Sequence, residues 1–93
     1  MTRRFAFEPE AREVYLELRK DPDGPLYLAV CAVLTDLLAD PGRSHVREVR
    51  YRPDTWGVRI REGDVRWLLL WRPSADDQDL IEVHYLGFEP GER

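Results

Sequence analysis

Cysteine, histidine and lysine are all scarce in this sequence, and each shortage excludes something. Cys31 is the single cysteine, which rules out an internal disulfide framework. The two histidines, His45 and His84, stand far from each other and from Cys31, so no zinc-ligand spacing exists. No glycine-rich phosphate loop is present. Ser44-His45 has no third partner for a hydrolase triad. Neither a metal nor a cofactor is expected. No apolar run approaches the length of a membrane span. The opening MTRRFAFEPE lacks the apolar stretch of a secretory signal, and the expectation is a cytoplasmic protein with no membrane role. Lys20 is the only lysine among 14 cationic residues, the rest being arginine. Coding bias would produce that composition, and so would a need for planar, bidentate anion binding.

What is present suits one small domain, residues 1–93. The chain has 93 residues, 43% of them hydrophobic, enough for a single modest core. The formal charge of −4 argues against a generic nucleic-acid binder, which would be basic. That charge is unevenly placed. Residues 43–72 carry eight arginines against four acids, whereas the segments before and after are both acidic. A local cationic block therefore lies between acidic ends.

RRFAFE (3–8) reads as a short strand with Phe5 and Phe7 on one face. Pro9 suits a first helical position, and Ala11, Val14, Tyr15 and Leu18 follow at helical spacing, so a helix is expected over roughly 9–20. DPDGP (21–25) ends it. A second helix is expected from Pro25 to about Asp40, stopped by DPG. It is apolar almost all round: Leu26, Val30, Val33 and Leu37 form one stripe, and Tyr27, Cys31, Leu34 and Leu38 form another. Two stripes imply burial on two sides, by the sheet and by either the first helix or a partner chain. From position 45 the period changes to two. HVREVRY (45–51) reads as extended, WGVRIR (56–61) and VRWLLLWR (65–72) as a hairpin, PSADDQD (73–79) as a loop, LIEVHYLGF (80–88) as the last strand, and EPGER as a tail. The fold class is α+β, order β-α-α-β-β-β, with two N-terminal helices against a small antiparallel sheet.

Alternation sorts the hairpin. Trp56, Val58, Ile60, Val65, Trp67, Leu69 and Trp71 share the core face. A two-residue Gly63-Asp64 loop of type II′ sets Arg61 opposite Arg66, whereas a four-residue loop would set Arg59 there. Either pairing opposes two like charges, which destabilises a sheet. In the last strand Ile81, Val83 and Tyr85 are assigned to the core face, and Glu82 and His84 to the other. The face away from the helices then carries Arg59, Arg61, Arg66, Arg72, Glu82 and His84, floored by Leu68 and Leu70. This is either an anion site with guanidinium groups aimed at phosphate, or a solvated face on which Glu62, Asp64 and Glu82 neutralise the arginines.

The opening FAFEPEAREVYLELRKDP resembles the first strand and helix of RelE/ParE-type toxins of bacterial toxin–antitoxin pairs. The hairpin VRIREGDVRWLLL is similar to that family's run of Arg-x-Arg, a Gly-Asp turn, an aromatic residue, Arg and a hydrophobic stretch. The element order agrees as well, so the resemblance covers nearly the whole chain. It places Arg59, Arg61 and Arg66 at the family's arginine positions. Val65 stands where an aromatic residue is usual. Phe88 and Glu89 stand where many members carry a basic pair and a later tyrosine. The resemblance implies a toxin neutralised by a cognate antitoxin, acting on mRNA at the ribosome or on DNA gyrase. An RNA-cleaving enzyme would use Arg61, Arg66 and His84 as catalytic residues, with Arg59 and Arg72 also binding RNA; Tyr85 is the further acid/base candidate if the strand phase differs. The alternatives are a gyrase-inhibiting toxin that catalyses nothing and a toxin-fold interaction module without activity. Part of the stripe Tyr27, Cys31, Leu34, Leu38 is expected under a partner's amphipathic segment, or at a homodimer contact.

Overall fold

The computed structural model describes residues 3–42, 46–77 and 79–89. Ser44, His45 and the tail beyond Glu89, all assigned above from sequence, lie outside the described residues. Seven elements follow in order: β1 (Arg4–Phe7), α1 (Pro9–Arg19), α2 (Pro25–Ala39), β2 (Val49–Arg52), β3 (Thr55–Glu62), β4 (Val65–Pro73) and β5 (Leu80–Phe88). The fold is α+β in the expected order, and the segment read as merely extended supplies one more short strand, β2. Its phase is hard to read because a bulge between Arg50 and Arg52 breaks the alternation.

Both helices begin with proline, whose missing N–H costs nothing in the first turn. Glu10 near the start of α1 and Arg19 near its end complement the helix dipole. The end of α2 is held from a distance: the Arg3 guanidinium donates to the carbonyls of Leu38 (2.8 Å) and Ala39 (3.2 Å), which the helix leaves unpaired.

The sheet runs β1-β5-β4-β3-β2. It is mixed rather than purely antiparallel, because β1 pairs parallel to β5 while the other pairs are antiparallel. Two helices intervene between β1 and the rest of the chain, so β1 can return beside the last strand in the parallel sense. Across the β3–β4 hairpin Trp56 faces Trp71, Val58 faces Leu69 and Ile60 faces Trp67. Those side chains meet Val30, Leu34 and Leu37 of α2 and Ile81, Val83 and Leu86 of β5 in one core between sheet and helices. Trp71 is fully buried, and its Nε1–H donates to the carbonyl of Val46 at 2.8 Å. That bond ties the approach to β2 onto the core. Trp56 is half-buried under the guanidinium groups of Arg47 and Arg50, at 4.8 and 5.1 Å from its ring.

Leu34, expected at a partner contact, is only 7% exposed and belongs to this core. Of the two stripes, Val30, Leu34 and Leu37 are buried within the chain, while Leu26, Tyr27, Cys31, Val33 and Leu38 are half-buried. What stays open is a shallow groove of about 230 Å³ between β1, α1 and α2, lined by Phe5, Phe7, Tyr15, Cys31, Leu34 and Leu38. Tyr27 borders it, its ring tilted against that of Tyr15 with the centroids 5.9 Å apart. Hydrogen bonding with Tyr15, then with Cys31, pushes the Tyr27 phenol above its ordinary pKa.

Candidate nucleic-acid interface

The face of the sheet turned away from the helices is built by the hairpin. Gly63 has φ +59°, and no other described residue of the loop has positive φ, as a two-residue type II′ turn requires. The resulting register sets Arg61 directly opposite Arg66, and Arg59 opposite Leu68. Arg61 and Arg66 are both exposed, and neither forms an ion pair among the described residues. Glu62 and Asp64, their sequence neighbours, do not neutralise them. Beneath and beside this pair the floor is apolar: Leu68 and Leu70 are 7% and 8% exposed, although they lie on the outer side of the sheet. Gly57 permits this. A side chain there would press on Leu70 Cδ2 at 3.0 Å and on Val49 Cβ at 3.1 Å.

The last strand corrects the reading of its own phase. From Trp67↔Phe88 to Leu70↔Tyr85 the pairing is regular, and then Trp71 pairs with Val83. One residue of β5, His84, is therefore extra. Ile81 and Val83 face the core before the bulge, and Leu86 does so after it. Tyr85, assigned above to the core face, is turned out beside Leu70. A bulge inserts one residue and reverses the alternation beyond it, which is why simple counting from Ile81 fails. The adjacent apolar pair Tyr85-Leu86 is the sequence signal for that reversal.

His84 lies on this face but not where the arginine pair is. Its Nε2 is 3.4 Å from Glu82 Oε1, and its Nδ1 is 3.6 Å from Glu8 Oε2. Arg72 joins the same cluster, with Nε donating to Glu82 at 2.8 Å and Nη1 lying 3.4 Å from Asp54. Arg72 holds the Glu82 carboxyl below its ordinary pKa, with a smaller contribution from His84. The Arg61–Arg66 row continues onto β5 at Glu89, whose N–H donates to the Arg66 carbonyl at 3.0 Å. His84 is five residues back from Glu89, so roughly 17 Å of strand separates the two ends. The face brings Arg59, Arg61 and Arg66 together at the hairpin end, and Arg72, Glu82 and His84 together at the other. Arg59 is not free either: its Nε contacts Glu89 Oε2 at 3.1 Å.

Two cavities occupy the ground between. One, about 460 Å³, is lined by Tyr51, Arg52, Asp54, Leu70, Arg72 and His84, among others. The second, about 400 Å³, is lined by Tyr51, Leu68, Leu70, His84 and Tyr85. Tyr51, from β2, was not singled out by sequence, because the phase of that strand is broken. Among the described residues no cluster of histidine, cysteine and carboxylates could hold a metal ion, and no helix is long and apolar enough to cross a membrane.

No protein-family model matches the sequence, and no curated protein matches it. Solved structures do match. A double arginine-to-alanine mutant of the E. coli toxin RelE in the free state superposes with a TM-score of 0.68 over 95% of this chain and 84% of that one, at 16% identity. The same RelE mutant in complex with a peptide of the antitoxin RelB gives 0.67 over 98% and 87%, at 15% identity. The chain has the fold of RelE.

Proposed function

We propose that this chain is the toxin of a toxin–antitoxin pair and that it acts on single-stranded RNA laid along the outer face of its sheet. The observation that carries this reading is the cross-strand pair Arg61–Arg66. Two exposed guanidinium groups oppose each other with no carboxylate partner among the described residues, in a domain of net charge −4 that has acids to spare. Like charges so placed cost stability, and a bound phosphate relieves the cost. The RelE fold supports the toxin reading, and both matched structures being RelE does not favour the gyrase-inhibiting alternative.

Cleavage of RNA by such a protein has the ribose 2′-oxygen attack the adjacent phosphorus while the bond to the 5′-oxygen breaks. A base takes the 2′ proton, an acid protonates the leaving oxygen, and cations stabilise the charge that builds on the phosphoryl oxygens. Among the described residues His84 is the one imidazole on this face, and it lines the cavity that also holds Arg52 and Arg72. In this reading the scissile phosphate sits there, and Arg61 and Arg66 anchor a neighbouring phosphate instead of acting at the reacting one. A second reading has its own observation: Arg59 is tied to Glu89, and Arg72 to Glu82 and Asp54, which suits a face that binds without cleaving.

End-labelled single-stranded RNA incubated with the purified protein decides. Products ending in a cyclic phosphate, lost in His84→Ala, support the nuclease. Binding without products supports the binding module. Absence of binding even at low salt overturns both. The matched RelE was solved with an antitoxin peptide, which supports an antitoxin partner here, and in this reading the partner docks on the apolar groove between β1, α1 and α2. Tyr27 and Leu38 flank that groove, and β1 offers its free edge to an added strand.

A further inference from the structure

The middle of the outer face holds an arrangement that neither the arginines nor His84 explain. Tyr85, turned outward by the bulge, does not project freely. Its hydroxyl donates to the carbonyl of Phe88 at 2.6 Å, so the ring lies forward along its own strand, over Gly87. Gly87 leaves the space for it: a Cβ at that position would stand 3.0 Å from the hydroxyl oxygen and 3.3 Å from Cζ. The ring is thereby fixed while still 36% exposed. Across the apolar floor of Leu68 and Leu70 stands Tyr51, 56% exposed, lining the same cavity of about 400 Å³.

We propose that this cleft is a nucleobase-binding site, in which one unstacked base of single-stranded RNA lies against the Tyr85 ring over the floor of Leu68 and Leu70, with Tyr51 as its outer wall. The inference rests on the RNA reading of the face. A flat aromatic ring pinned at one end is a stacking platform whose rotamer entropy is already spent. The apolar floor excludes a charged occupant from the centre, and each end of the face offers arginine: Arg61 and Arg66, unpaired among the described residues, at one, and Arg52 with the carboxylate-bound Arg72 at the other. The row of Gly87, under the ring, lies two residues, about 7 Å, from the row of Arg61 and Arg66. A base on Tyr85 therefore leaves its own phosphates within reach of the arginine pair on one side and of the Arg72–His84 cavity on the other. That is the chemistry of a single nucleotide: a neutral aromatic body between two anionic links. A protein segment would find the floor but leave the arginines beside it without an anion, and duplex RNA cannot present an unstacked base.

The test uses the full chain and a short 2′-O-methyl RNA, which cannot be cleaved, carrying one 2-aminopurine whose emission falls on stacking. Bound to the wild-type protein, the probe is quenched. Tyr85→Leu weakens binding roughly tenfold, in line with about 1–3 kcal/mol per stacked base, and abolishes quenching. Tyr85→Phe, which keeps the ring, retains most of the affinity. Gly87→Ala crowds the Tyr85 hydroxyl and shifts the ring, lowering affinity and quenching by less than Tyr85→Leu does. Replacing the reporter base by an abasic residue lowers wild-type affinity by the same factor and removes the effect of Tyr85→Leu. If RNA binds but Tyr85→Leu binds it as tightly and quenches it as strongly, the base site is wrong while the RNA reading survives. If the wild-type protein binds no RNA at low salt, both readings fall together. Should Tyr85→Leu melt well below wild type, the abasic probe on unaltered protein still decides.

Discussion

Replacing Arg66 by alanine separates a binding arginine from a structural one. In the free protein Arg66 faces Arg61 across the ladder, and neither has a carboxylate within salt-bridge distance among the described residues. Cross-strand pairs contribute about 0.2–1 kcal/mol, and two solvated like charges belong at the low end, so relief of repulsion is worth roughly 0.2–0.5 kcal/mol. For a domain of this size 1 kcal/mol moves the melting temperature by about 4–8 °C, which makes the expected rise roughly 1–4 °C. Loss of the arginine stem from the face offsets part of it. The variant should therefore melt at or slightly above the wild-type temperature.

Binding should move the other way. A charge-assisted contact is worth about 1.5–3 kcal/mol when shielded and nearer 1 kcal/mol on an open face, or roughly fivefold in affinity. The slope of log affinity against log salt should shrink by about 0.7, the value for one phosphate contact to a single strand. Calorimetry of both proteins, with fluorescence anisotropy of a labelled RNA between about 50 and 200 mM salt, measures all three quantities. A melting temperature far below wild type would show that Arg66 holds the fold. An unchanged salt slope would show that it touches no phosphate. Either result refutes the anion-site reasoning.

Four more outcomes follow from the same geometry. Glu89→Gln frees Arg59 from its 3.1 Å partner, so RNA affinity should rise severalfold and the salt slope steepen by about 0.7; titrations of both proteins at two salt concentrations check it. Glu82 has a folded pKa lowered by Arg72 from the ordinary 4.5, so its contribution is present above that value and is lost as pH falls through the folded pKa. Urea midpoints followed downward from about pH 5 should accordingly fall less steeply for Glu82→Gln than for wild type. Trp71→Phe removes the buried donor to the Val46 carbonyl and should cost about 1–3 kcal/mol by denaturant titration, with amide exchange accelerated first around residues 46–52. Leu38→Glu, at the half-buried margin of the α1–α2 groove, should weaken capture of the co-expressed antitoxin while changing the melting temperature little; equal antitoxin affinity would remove the groove as the docking site.

The local elements were legible because their signals are local. Proline at a first helical position, helical spacing after it and a Pro/Gly cluster at the end bracket α1 and α2 to within a residue or so of Pro9–Arg19 and Pro25–Ala39. Gly63-Asp64 suited a two-residue type II′ loop, while apolar pairing across β3 and β4 demanded only an even-numbered one; the structure takes the two-residue loop over the four-residue alternative and so opposes Arg61 to Arg66. What depended on long-range pairing was not legible. Nothing in RRFAFE states that β1 joins the sheet parallel to β5. Arg3 is 35 residues from the carbonyl of Leu38 that it caps, and Glu89 is 30 from Arg59.

The bulge at His84 is the most consequential of these, because the character of the outer face depends on it. With regular alternation through β5, Tyr85 would enter the core and Leu86 would be left outside. The fold places Leu86 inside at 2% exposure, and one residue has to be absorbed to do so. Absorbing it at His84 leaves that imidazole between Glu8 and Glu82, at the seam where β5 meets the start of α1, instead of in line with the arginines. It also delivers Tyr85 to the surface two residues before Gly87, the only glycine of this strand, whose missing side chain leaves room for the ring. The aromatic platform and the displaced histidine are thus one event in the backbone. Deleting His84 removes the extra residue and leaves Trp71 opposite Val83 and Leu70 opposite Tyr85 in a regular ladder, so Tyr85 should stay outside, Leu86 inside, and RNA should still bind while any cleavage is lost with the imidazole. If such a deletion folds and binds no RNA at low salt, the interface depends on the bulged backbone or the imidazole, and the placement of Tyr85 and the arginines does not account for it.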